Sequence, residues 1–131
     1  MKKLILVITL WAILIHILLI ALTVLEVYIY STFINSGQPL MVYQSHAQKS
    51  GPYIGIVIGF ILIYWVTGRL IKKNATAKKL IWLGLPLGYA ILDLVILLIS
   101  GTDILNNLWV FALSFATKFL AGYFALKMTR N

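Results

Sequence analysis

Residues 4–25 read LILVITLWAILIHILLIALTVL, an apolar run broken only by two threonines and one histidine. A helix rises about 1.5 Å per residue, so this run is long enough to cross a hydrocarbon core of about 30 Å. In lipid an unpaired amide or carbonyl is costly, which makes helix the conformation to expect. Met1, Lys2 and Lys3 ahead of the run look like the start of a secretory leader. A leader's apolar region, however, is about 7 to 15 residues long and is followed by a small-residue cleavage site, and this run has neither property. We therefore read residues 4–34 as a retained first span.

Working outward, three further apolar stretches fall at 53–71, 80–100 and 104–126. Of the 131 residues 62% are apolar and only 11% charged, a balance that a water-soluble domain cannot bury. The expected fold is all-α: an integral membrane four-helix bundle, up-down-up-down, in one transmembrane domain with a long first helix. The segment 35–52 reads as an outer loop, because Asn35-Ser36-Gly37-Gln38-Pro39 opens it and Ser50-Gly51-Pro52 closes it with turn residues. The segment 69–79 reads as a basic loop on the opposite side. A turn near Thr102 joins spans three and four.

The net charge of +8 does not indicate nucleic-acid binding, because the basic residues sit at the ends of the apolar runs. Lys2 and Lys3 precede span one, Arg69, Lys72, Lys73, Lys78 and Lys79 join spans two and three, and Lys127 and Arg130 follow span four. The other two connections share only Lys49. Basic residues are held on the cytoplasmic side, so both termini are expected there, in a multi-pass protein of a bacterial inner membrane. The cluster Arg69, Lys72, Lys73, Lys78 and Lys79 would also attract anionic lipid headgroups. The absence of cysteine excludes disulfides and thiolate chemistry.

Close helix approach in lipid depends on small residues. Gly51, Gly55 and Gly59 form such a stripe on span two, Gly84 and Gly88 on span three, and Ala112 and Ala116 on span four. These stripes pack within one chain or serve a homo-oligomer or membrane partner protein. Pro86 removes one helical hydrogen bond and should kink span three near Trp82, freeing that carbonyl.

Polar residues inside the spans are expensive and therefore informative. A heptad register on span one turns Thr9, Ala12, His16, Leu19, Thr23, Glu26, Tyr30 and Phe33 inward. Asp93 on span three and Ser114 and Lys118 on span four extend this into a polar seam of His16, Glu26, Asp93, Ser114 and Lys118. Lys118 lies about 10 Å deeper than Asp93 by helical rise, a gap that the lean of helical side chains would close, so a buried Asp93–Lys118 ion pair is expected. His16 and Glu26 are about 15 Å apart along one helix, too far for a direct proton hop. His46, in the expected outer loop, reads as a solvated lone histidine.

No catalytic, cofactor or metal-ligand motif stands out, and no cofactor is expected. Three function classes follow, of which a membrane enzyme carries the least weight because no paired-carboxylate or metal-ligand motif supports it. One is a non-enzymatic accessory, assembly or scaffold subunit. The alternative is a small oligomeric ion- or proton-coupled transporter or channel that uses the polar seam.

Overall fold

A computed structural model describes residues 1–101 and 105–129, and those residues form an all-α protein. The four helices are α1 (Lys2–Ile29), α2 (Leu40–Lys73), α3 (Lys78–Ser100) and α4 (Leu108–Met128). All four are long and apolar enough to cross a membrane. A single π-helical segment, Tyr30–Ile34, continues α1, and a short 3-10 turn, Ala75–Ala77, joins α2 to α3. Gly101 closes α3 in the left-handed conformation, with φ of 67°, which glycine adopts without a Cβ penalty. The expected turn at Thr102, the start of the fourth span at Ile104, and Arg130 and Asn131 lie outside the described residues.

The expected outer loop 35–52 is corrected: only residues 35–39 are non-helical, because α2 begins at Leu40 directly after Pro39. Pro52 stands inside α2. A proline there leaves the carbonyl four residues earlier, on Gln48, without its amide, and Gln48 lines a cavity. The turn-forming residues misled because the segment is tied to α1 by side-chain bonds that composition does not reveal. The basic loop 69–79 is corrected likewise. Arg69, Lys72 and Lys73 belong to the end of α2, and Lys78 and Lys79 open α3.

The helices are arranged in the order α1, α2, α4, α3 around the bundle, with α2 and α3 also meeting across it. Neighbours in the chain run antiparallel: Trp11 meets Trp65 near one end, and Thr23 faces Gly51 near the other. The pairs α1–α3 and α2–α4 run parallel, as the matched contacts Ile8–Gly84 and Ala12–Gly88, and Lys118–Gly59 and Ala125–Gly68, require. The apolar core lies in the half that carries the basic residues, around Ala12, Ile15, Ile63, Val66, Ile81 and Leu85, each at most 2% exposed. Toward the other end the helices part.

The heptad register of α1 holds from Ala12 to Tyr30 and fails at both ends. Thr9 is exposed, its hydroxyl donating to the Ile5 carbonyl, and Ile8 takes the inward place. A straight helix has 3.6 residues per turn and drifts from a 3.5-residue repeat, which rotates the register away from its centre. Phe33 is also exposed, beyond the start of the π-helical segment.

The glycine stripes on α2 and α3 face the chain's own helices. Gly84 and Gly88 receive Ile8 and Ala12, Gly51 receives Thr23, Gly59 receives Lys118 and Leu19, and Gly55 lines the cavity. On α4 the expected stripe is corrected. Ala112 and Ala116 face outward, and the small residues that pack inward are Ala121, Gly122 and Ala125.

Candidate functional site

The four helices line a cavity of about 790 Å³ that extends from His16, Tyr89 and Ser114 toward Gly101 and Asn107. Its lining comes from all four helices and includes His16, Thr23, Gln48, Tyr89, Asp93, Asn107 and Ser114. At its floor, Nε2 of His16 lies 3.4 Å from Oδ1 of Asp93. The His16 ring is stacked on Tyr89 with centroids 3.9 Å apart, and its Nδ1 lies 3.3 Å from the Ala12 carbonyl. Parallel packing of α1 on α3 brings these residues level, because His16 and Asp93 stand nearly the same number of residues into their helices.

The two contacts of His16 constrain its protonation. A carbonyl oxygen only accepts, so Nδ1 must carry a proton to bond Ala12. Nε2 and an ionised Asp93 would then present lone pairs to each other. The other tautomer carries the proton on Nε2, which donates to the ionised Asp93 with no further proton and leaves Nδ1 unbonded beside the Ala12 carbonyl.

Lys118 is fully buried just beneath. Its ammonium donates to the Ser114 hydroxyl at 2.5 Å and to the Ser114 carbonyl at 3.3 Å, and it lies 4.6 Å from the centroid of the Tyr89 ring. Two oxygens and an aromatic face match its three N–H donors. Gly59 makes the space: a Cβ there would come 3.2 Å from the Lys118 Cε. The expected ion pair is therefore corrected. Among the described residues Asp93 bonds His16, Lys118 bonds Ser114, and no ion pair joins Asp93 to Lys118. Tyr89 touches both His16 and Lys118 and was missed in the sequence, where one buried aromatic looks like any other.

The expected seam is two separate clusters. Glu26 does not line the cavity. Its carboxylate meets His46 of α2 at 2.6 Å and accepts the Ser50 hydroxyl at 2.9 Å, while Tyr30 stacks flat on His46 at 3.6 Å. His46 is thus a paired residue, which corrects its reading as a solvated one. The signal was present: Tyr30 and Glu26 sit one helical turn apart on α1, and His46 and Ser50 one turn apart on α2, each pair on one face. Among the described residues no three metal-ligating side chains converge.

Comparison with protein-family models, with curated protein sequences and with solved structures finds no match to this chain.

Proposed function

We propose that the chain is an integral membrane protein of four spans with both termini on the cytoplasmic side, and that it is a small transporter whose transported or coupling ion is the proton. The observation that carries this reading is the contact of His16 Nε2 with Asp93 Oδ1, two groups that each can exchange a proton, in a cavity lined by all four helices. A proton arriving through the cavity would sit between Nε2 and Oδ1. When it leaves, the carboxylate charge left behind offsets the charge of Lys118 through space, whereas in the loaded state Lys118 has only Ser114 and Tyr89. Beyond the floor the apolar core is packed, and a carrier would have to part the helices there in its other state. The cavity is also of the size that holds a small organic solute.

The direct test is proton flux into liposomes that contain the purified protein and a trapped pH dye. The parent should exceed empty liposomes, Asp93→Asn and His16→Phe should return to background with helix content unchanged, and Glu26→Gln should retain flux. Background flux from the parent would reject transport.

The second reading, a non-enzymatic accessory or assembly subunit, is favoured by the exposed Leu113 and Leu120 of α4 beside the outward Ala112 and Ala116. It forecasts no flux and co-purification with a fixed membrane partner.

A further inference from the structure

At the end opposite the cavity a groove of about 1240 Å³ runs between the first turn of α1, the start of α3 and the last turns of α4. We propose that this groove binds one anionic phospholipid, with its headgroup among Lys3, Lys78 and Lys79 and an acyl chain along Leu4, Trp82 and Leu126. Each of these residues lines the groove, and among the described residues no carboxylate does.

The lysines at this end of the bundle are not equivalent. Lys72 and Lys73 lie in the last turn of α2 and Lys127 in the last turn of α4, where the negative end of the helix dipole already favours a cation. Arg69 sits over the Trp65 ring at 5.3 Å. Lys78 and Lys79 occupy the first turn of α3, at the positive end of its dipole. That turn has no acidic residue, and the cap position, Ala77, offers no side-chain acceptor. Charge and dipole there repel, and an anion in the groove offsets both. The expectation that Arg69 to Lys79 attract lipid as one basic surface narrows to the two lysines that open α3, joined by Lys3. A free anion would satisfy the lysines but leave the apolar wall unused. A phospholipid satisfies both, because the groove continues into the apolar flank of the helices.

Trp82 stands in the groove and reports its occupant. The chain with Trp11→Phe, Trp65→Phe and Trp109→Phe retains it as the single tryptophan and is reconstituted in phosphatidylcholine vesicles. Brominated phosphatidylglycerol or brominated phosphatidylcholine is then added at equal mole fraction. We expect the anionic lipid to quench Trp82 several-fold more strongly, with saturation. Lys3→Gln with Lys78→Gln and Lys79→Gln should abolish that preference, whereas Lys72→Gln with Lys73→Gln and Lys127→Gln, an equal loss of charge, should leave it. Equal quenching by both lipids, or equal loss in both triple variants, would overturn the site. So would an unquenched Trp82 accompanied by cross-linked dimers, which would mean that a second copy fills the groove. Should the single-tryptophan chain not fold, native mass spectrometry of the parent and the two lysine variants reads the same comparison as retained phosphatidylglycerol.

Discussion

Gly122 of α4 lies against the backbone carbonyl of Trp82 on α3, so closely that a Cβ at position 122 would fall 2.7 Å from that oxygen and 3.2 Å from the Pro86 ring. Pro86 is the residue whose missing amide frees the Trp82 carbonyl, so the proline and the glycine form one packing device across two helices. Gly122→Ala should destabilise the protein by about 1 to 3 kcal/mol, because a backbone carbonyl within a helix cannot step aside. Gly59→Ala should cost less, because its nearest neighbour is the far end of the Lys118 side chain. Thermal unfolding in mild detergent ranks the two, and the reverse order would refute this account of α4 packing.

The pairing of Asp93 with His16 rather than with Lys118 is open to a double-mutant comparison. Asp93→Asn and His16→Phe should be coupled by about 1 to 3 kcal/mol, the cost of leaving a part-buried polar group without its partner. The coupling of Asp93→Asn with Lys118→Met should be smaller, since those groups interact only through space. A larger coupling for the second pair would restore the direct ion pair.

Thr67 is fully buried, and its hydroxyl has no hydrogen-bond partner among the described residues. An unsatisfied buried hydroxyl costs about 1 to 3 kcal/mol, so Thr67→Val, which keeps the shape and removes the polar atom, should raise the unfolding temperature. A lower unfolding temperature would mean that the hydroxyl is bonded in the protein in lipid or detergent.

The contact of Glu26 with His46 should hold the first turns of α2 against α1. Because the two side chains are 34% and 26% exposed, their coupling should be modest, about 1 kcal/mol or less. Glu26→Gln should therefore speed amide exchange across residues 40–50 while leaving the core half of α2 protected. Unchanged exchange in that segment would show that its helix stands without the contact.

The orientation forecast rests on the lysines and arginines of the connections. Reporters fused after Asn131 or placed within residues 74–77 should read cytoplasm, and one at Gly37, in the short turn ahead of α2, should read the opposite side. Any other pattern would break the four-span map.

Much of this molecule was legible in the chain because the bilayer is a simple solvent. The length of an apolar run decides whether a helix can span, so the four helices could be read from local content alone. Local content also identified His16, Asp93 and Lys118 as residues needing partners, because burial of such groups is costly whatever surrounds them. It misread residues 40–52 as loop, since Ser50, Gly51 and Pro52 are turn formers locally, whereas the bonds of Ser50 and His46 to Glu26 and of Tyr43 to Asn35 tie that segment down as a helix.

The choice of partners was made by tertiary structure. Neighbours in sequence suggested α3 with α4, and hence Asp93 with Lys118. The order α1, α2, α4, α3 instead sets α1 beside α3 in parallel, which carries His16 to the level of Asp93 and leaves Lys118 to Ser114 and Tyr89. Helix order and rotation are set by how small and large side chains fit across several helices at once, through Gly59 under Lys118 and Gly122 under Trp82. No single segment encodes that fit, so the sequence by itself determined that these polar groups are buried, and only the packed bundle decided which of them meet.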